Sequence, residues 1–471
     1  MKNMHRKISS ALIIILLSII SYLPSCNSGD QNQSASGPGD NLPFEWGNNK
    51  NVRWSYDLTG RGWSSPVIYR NKVFITTAYN ETKPPVPEVE KPEQAPPPPP
   101  PPAPGVANPQ PPRPQGPPPP RVQVEDTTFK SEVWRWEVIC LNLKTGKELW
   151  KKVAFEGTPR VGSHKGNGYA SETPVTDGKR VYAYFGMTGI FCYDMKGNLI
   201  WKKDLGAYKT LNSWGTGSSP VLYNDKVFLQ IDNEVNSFIV ALDALTGAEK
   251  WRAARDEKTT YSTPLIWKNK SRTELVTCGK TARSYDPDTG NVLWEMKMKG
   301  DMSIPTPVAD NDHLFIGNTG EDDKVGGLYS IKSGAAGDIT PDTITMVSSG
   351  VEWYSAKAPL ENPSPVLHNG LIYLLAGNGK NLSCIDAATG KTVYDKKLEK
   401  VSSCWATPWV YKENLYITDE RGFTTVVKTG VQFELVSQNR IKDKFWASAA
   451  LGYDAYVFKG VNKVYCIGPM Q

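Results

Sequence analysis

The sequence predicts an all-β fold, an eight-bladed β-propeller of four-stranded antiparallel blades, from three recurring features. A Ser/Thr-Pro-Val-like segment appears along the chain, an Asn- or Gly-containing turn and an apolar run follow it, and a large aromatic closes the unit. The copies are Ser64-Ser65-Pro66-Val67, Glu172-Thr173-Pro174-Val175, Ser218-Ser219-Pro220-Val221 and Ser262-Thr263-Pro264-Leu265, then Pro305-Thr306-Pro307-Val308, Pro363-Ser364-Pro365-Val366, Ala406-Thr407-Pro408-Trp409 and a degenerate Ala447-Ser448-Ala449-Ala450. From position 174 to 449 the proline positions lie 41 to 46 residues apart, with one step of 58. Four short strands with three turns occupy about 43 residues, the length of a propeller blade. One blade cannot bury both its faces, so neighbours must stack around an axis, and closing the ring protects the edges.

Ahead of the repeats lies a leader. Lys2, Arg6 and Lys7 precede an apolar stretch from Ala11 to Tyr22, which is short for a membrane span of about 20 residues. Leu23-Pro24-Ser25-Cys26 then puts a small residue before a cysteine and resembles a bacterial lipobox. That resemblance implies cleavage before Cys26 and acylation of Cys26. The expected organisation is therefore a lipoprotein signal peptide at 1–25, a polar flexible tether at 26–43 and the propeller at 44–471. The formal charge of +6 falls to about +3 without the three leader cations, too weak a bias for a nucleic-acid partner.

Within each unit, Asn71-Lys72, Asp177-Gly178, Asn224-Asp225, Asn311-Asp312 and Asn369-Gly370 mark the first hairpin, because Asn, Asp and Gly tolerate positive φ. A third strand ends in a Gly turn, as in Leu242-Asp243-Ala244-Leu245-Thr246-Gly247 and Ile385-Asp386-Ala387-Ala388-Thr389-Gly390. The fourth strand carries Trp150, Trp201, Trp251, Trp294, Trp353 or Tyr394. These aromatics are expected to wedge between adjacent blades as structural docking residues. The last unit supplies three strands and stops at Gln471, while Asn51 to Asp57 precedes the first unit as an unattached fourth strand. Trp54 should therefore complete blade eight and join the chain ends.

Two insertions interrupt the repeat. Residues 83–121 are proline-rich, with 20 of the 37 prolines between 84 and 120, and should form an extended, disordered arm within blade one. A second insertion, 335–349, lengthens blade five. Cys140, Cys192, Cys384 and Cys466 share one repeat position with Ala241, Ser284, Ser330 and Val426, so the slot wants a small residue and the thiols are core filler.

The segment Leu-Asp-Ala-Leu-Thr-Gly-Ala-Glu-Lys-Trp at 242–251, with its copies, resembles the tryptophan-docking repeat of the quinoprotein-like (PQQ-like repeat) propeller family. The resemblance covers about 44–81 and 133–471. It raises two expectations. One is a dehydrogenase holding pyrroloquinoline quinone (PQQ) with calcium, beneath adjacent disulfide-bonded cysteines and beside an acidic ligand set. No Cys-Cys pair is present, and no such triad maps onto this chain, so no catalytic residue, metal ligand or cofactor is assigned. The other is the non-catalytic branch that includes the BamB-type lipoprotein, which binds partners through its loops. The leader and repeats match that branch better, which implies a membrane-anchored envelope scaffold with envelope proteins as partners, in outer-membrane protein assembly.

A third expectation is a carbohydrate- or peptide-binding receptor. Trp63, Tyr261, Trp405 and Trp446 stand just before the innermost strands and could ring one mouth of the channel. His164, Asn167, Tyr169 and Trp214 lie in the loops leading there. Aromatic rings with a few polar groups suit a sugar or a peptide; packing between blades would place the same residues.

Overall fold

Residues of high β-propensity, broken every five to seven positions by turn formers, can satisfy their backbone only as short hairpins. In the computed structural model, which describes residues 41–81, 132–164, 166–300, 302–319 and 326–469, those hairpins form eight antiparallel sheets. Blade 1 runs outward from Val67–Tyr69 through Lys72–Asn80 and Trp134–Asn142 to Glu148–Gly157. Blades 2 to 7 follow at 175–203, 221–255, 265–297, 308–355, 366–397 and 409–440. Blade 8 takes Ala450–Gly452, Ala455–Lys459 and Lys463–Ile467 from the end of the chain, and its outer strand is Val52–Asp57. The inner strand of blade 1 lies against those of blades 2 and 8, so the ring closes. The expected eight-bladed fold and its N-terminal closing strand are both present.

The core sits between blades and repeats one cross-strand row. In blade 1, Val67 pairs with Phe74, Phe74 with Cys140 and Cys140 with Trp150. Blade 2 repeats it as Val175, Tyr182, Cys192 and Trp201. The third position is small because the indole of the fourth lies beside it, which explains the Cys, Ala and Ser choices there. All six described cysteines are buried thiols, and burial pushes Cys140, Cys192, Cys278 and Cys466 up to about 12.

Docking works through the third turn. Asp243 Oδ1 accepts from the amides of Leu245 and Thr246, an Asx turn that delivers Gly247 at φ 72°. A Cβ on Gly247 would stand 2.6 Å from Trp201 of the preceding blade, so only glycine admits the indole. Trp201 Nε1 then donates to Ala244 O at 3.1 Å. Trp54, Trp150, Trp251 and Trp353 dock in the same way, on the turns at Gly146, Gly197, Gly290 and Gly390.

The Ser/Thr before each repeat proline has a separate task. The amide of Ser65 donates to Thr173 Oγ1, that of Thr173 to Ser219 Oγ and that of Ser219 to Thr263 Oγ1, at 2.9 to 3.1 Å. Thr306 donates likewise to Ser364, and Thr407 to Ser448, at 2.9 Å. Each hydroxyl thus satisfies an amide on the neighbouring blade, next to a proline that has none to offer.

Trp294 departs from the expected docking between blades. Its Nε1 donates at 2.7 Å to the buried Glu274 carboxylate of its own blade. The second insertion brings Gly337–Asp338 alongside, paired in parallel with Val292–Lys297, and occupies the place where a neighbour's turn would sit. At the other end of the chain, Leu42 and Trp46 are buried with Trp409, Tyr416 and Tyr456, so packing begins within the last residues of the expected tether. The leader, Cys26 and the proline-rich stretch lie outside the described residues. Among the described residues, no helix is long and apolar enough to cross a membrane.

Candidate functional site

The segments that enter the inner strands gather the expected mouth residues into three groups. Trp63, Trp446 and Trp405 belong to the adjacent blades 1, 8 and 7, and their rings stack in series. Trp63 and Trp446 are 4.2 Å apart at 26°, and Trp446 and Trp405 are 4.7 Å apart at 23°. Trp63 is held by donation to Gly166 O at 2.7 Å, and Lys444 stands 5.4 Å over the Trp446 ring. Trp405, 38% exposed, presents the free end of the stack to solvent.

The second group is the loop pair around 164 and 214. His164 Nδ1 accepts from the Gly166 amide, and Asn167 Nδ2 donates to Trp214 O at 3.0 Å. Asn167 Oδ1 accepts from Tyr169 N and Ser171 Oγ, so this side chain is spent on tying the two loops together. Tyr169 packs edge-on to Trp134 and Trp136, a structural placement. Tyr261 lies apart, against Gly217, and is not in the tryptophan stack.

Between blades 2 and 3 these loops enclose a cleft that the repeat pattern did not reveal. Tyr184, Tyr208, Thr216, Ser218, Gln230 and Ser163 are among the residues that line it. Behind Thr216 lies Glu172, buried, with Oε1 accepting from the Thr216 hydroxyl and Oε2 without a protein partner. Glu172 stands where other copies carry Ser64, Ser218 or Ser262, and that charged exception was visible in the repeat.

Burial pushes the Glu172 carboxyl up to about 7, against the opposing pull of the Thr216 hydrogen bond. The folded protein therefore binds a proton that the unfolded chain releases between about pH 4.5 and 7. Stability from this group is complete below the unfolded value and is lost as pH rises through 7. Glu172→Gln should match the native protein near pH 4 and exceed it at pH 8 by up to roughly 3 kcal/mol. Urea unfolding across that range checks this, and parallel curves would reject it.

Further buried charges serve the frame. Arg255 and Asp232 form a fully buried pair at 2.8 Å. Lys459 of blade 8 donates to Ser64 Oγ at 2.7 Å and to Gly62 O and Thr76 O at 2.8 Å, stitching blade 8 to blade 1 while burial lowers its ammonium to about 7. Calcium with a quinone needs several converging oxygen ligands. Among the described residues no cluster of three or more His, Cys, Asp or Glu is placed to hold a metal ion, and Asp232 in the cleft wall is turned to Arg255. The residues present do not fit that group.

A closed ring of eight four-stranded blades, locked by tryptophans on glycine turns, defines a tryptophan-docking repeat propeller. The family described as outer membrane protein assembly factor BamB matches residues 135–271. No curated protein matches the chain. Among solved structures, BamB from Moraxella catarrhalis is 12% identical, with TM-score 0.51, 70% of this chain and 91% of that chain covered. A europium-containing methanol dehydrogenase is 11% identical, with TM-score 0.50 over 88% of this chain and 85% of the other. The quinohemoprotein alcohol dehydrogenase from Comamonas testosteroni is 13% identical, with TM-score 0.52 over 90% and 78%. At such identities these likenesses speak for the fold. The chain shares the propeller fold of these proteins.

Proposed function

We propose that this protein is a non-catalytic scaffold of the cell envelope, anchored through a lipid on Cys26, which captures partner proteins through the loops at its channel mouth. Outer-membrane protein assembly is the setting, by analogy with the BamB family description that matches part of the chain. The observation that carries the reading is the stack of Trp63, Trp446 and Trp405. Three stacked indoles lose little side-chain freedom on binding, and tryptophan is enriched among the few residues that dominate interface energies. An exposed ring supported by two others offers a rigid apolar anchor.

The test is capture of the intact protein with its partners from its native envelope. Trp405→Ala is expected to reduce partner recovery at least tenfold while the thermal unfolding midpoint moves by only a few degrees. In the same preparation, a Cys26→Ser chain should appear in the soluble fraction. Undiminished recovery with Trp405→Ala would reject the mouth as the contact surface, and a membrane-bound Cys26→Ser chain would reject the anchor.

A further inference from the structure

The cleft between blades 2 and 3 is built to receive something. Gln230 and Ser218 are both more than nine-tenths buried and line it, yet Gln230 Oε1 and Ser218 Oγ have no protein partner, and neither does Ser163 Oγ. The Gln230 amide cannot turn round. Its two Nε2 hydrogens are taken by Asp232 Oδ2 at 2.6 Å and Cys278 O at 2.8 Å, both acceptors only, and the nearby Thr260 hydroxyl is itself committed to Asp232. Gln230 therefore holds a fixed carbonyl acceptor in the cleft wall. Unmatched buried acceptors of this kind cost stability in the empty protein.

Charge and size narrow the ligand. No lysine or arginine lines the cleft among the described residues. Arg160, which reaches Met187 in its wall, is tied to Asp204, and the Asp232 charge is matched by Arg255. The Glu172 carboxyl one layer back, beyond Thr216 and Gly186, has no cation against it. An anion would face the fixed Gln230 carbonyl and a buried carboxyl with no cation to offset them, whereas the Ser218 and Ser163 hydroxyls can accept from a cation as readily as they donate. The enclosed space is about 30 Å³, where a water needs about 10–15 Å³. A space of that size suits a small head group entering from the open side rather than a whole sugar ring or a quinone. Tyr184 and Tyr208 supply aromatic surface beside it, which suits a cation.

We infer that this cleft binds a small cationic head group, an alkylguanidinium or a primary alkylammonium, whose N–H groups donate to Gln230 Oε1 and to the hydroxyls of Ser218 and Ser163. The head group belongs either to a free small amine or guanidine or to an arginine or lysine side chain of a polypeptide. The inference stands on different residues from the tryptophan stack and does not depend on the scaffold reading.

The test uses the full chain and follows saturable binding by ligand-observed NMR. The probes are methylguanidinium, ethylammonium, the uncharged acetamide, and the blocked tripeptide Gly-Arg-Gly. Methylguanidinium or the tripeptide should bind at least tenfold more tightly than acetamide. Ser218→Val, which fills the space and removes an open hydroxyl, should weaken that binding at least tenfold. Ser163→Ala, which removes a hydroxyl that has no protein partner, should weaken it about threefold and serves if the valine variant fails to fold. A tripeptide at least tenfold tighter than methylguanidinium assigns the head group to a polypeptide, and equal affinity assigns recognition to the head group alone. The inference is overturned if none of the three cationic probes binds saturably, if acetamide binds as tightly as they do, or if the folded variants bind like the native chain.

Discussion

Arg255→Met is expected to lower the unfolding free energy by about 3–5 kcal/mol, because it leaves a buried carboxylate without its cation. Both side chains of the pair are 0% exposed. Asp232 accepts from Arg255 Nε at 2.8 Å and from Nη2 at 3.1 Å. The other guanidinium hydrogens reach blade 4, where Nη1 donates to Thr277 Oγ1 at 2.6 Å and Tyr285 Oη at 3.0 Å, and Nη2 to Cys278 O at 3.3 Å. Burial works against the charged guanidinium, but Asp232, together with Tyr285 and Glu257, more than offsets it and holds Arg255 above its ordinary value. A methionine fills much of the volume and supplies none of the donors. After the substitution Asp232 retains only the neutral donors Gln230 and Thr260. Replacing both partners, Arg255→Met with Asp232→Leu, removes the stranded charge along with the pair and should cost less than the single change. The shift in denaturation midpoint for both variants decides the matter. A single variant within about 1 kcal/mol of the native protein, or a double variant worse than it, would show that the pair does not lock blades 3 and 4.

The ring was legible because its chemistry recurs. The Asp-x-x-Thr-Gly turn appears in several blades, and each instance implies an Asx turn, a left-handed glycine and an indole above it, as at Asp243, Gly247 and Trp201. Trp54 was predictable as the closing residue because it carries the docking aromatic without its own first three strands. Trp294 defeated the same rule, since the rule knew nothing of Glu274. That carboxylate reaches across from the second strand of the blade, past Ser284 on the third, and a buried acid captures an indole N–H more strongly than a backbone carbonyl does. The Ser/Thr preceding each proline was visible as a pattern, but its reason was not. The bond it makes runs to the next blade, and no strand-by-strand reading contains that neighbour.

The candidate site was half legible for a related reason. Trp63, Trp405 and Trp446 share one repeat position on three adjacent blades, so the ring brings them together. Tyr261 holds the same position in blade 4 and is separated from them by the geometry of the ring. The cleft depends on loops whose lengths differ from blade to blade, so periodicity does not locate it. Its traces in the sequence were the loops that carry Asn167 and Tyr169, which line it, and Glu172, a charged residue in a slot that elsewhere carries Ser, Pro or Ala. A break in a repeat is the kind of signal that a search for the repeat tends to discard.

Trp54→Ala is expected to cost about 3–5 kcal/mol, the range for truncating a large packed aromatic. Its consequences should also be local in a way that those of the other docking tryptophans are not. Trp150 and Trp201 dock between blades that follow one another in the chain, so covalent continuity keeps those surfaces close if an indole is lost. Trp54 docks blade 8 onto blade 1, with Nε1 donating to Leu143 O at 2.8 Å, and its strand pairs with Lys463–Ile467 from the far end of the chain. Val52–Asp57 continues into blade 1, so only noncovalent links hold the other three strands of blade 8 to it and to blade 1. They include the strand pairing, the contact of Arg53 with Asp454 at 2.9 Å, Lys459 on the blade 1 backbone and the apolar packing of Val457 and Val464 with Ile68 and Val73. Loosening the outer strand exposes the edge of Lys463–Ile467, so amide exchange should quicken there and in Val52–Asp57 while blade 4 keeps its protection. Trp54→Phe retains the apolar body but loses the bond to Leu143, and should fall between the two. If Trp54→Ala raised exchange evenly around the ring, or left residues 463–467 as protected as before, closure would not reside in this strand. The stability of the propeller would then be shared by all eight interfaces alike.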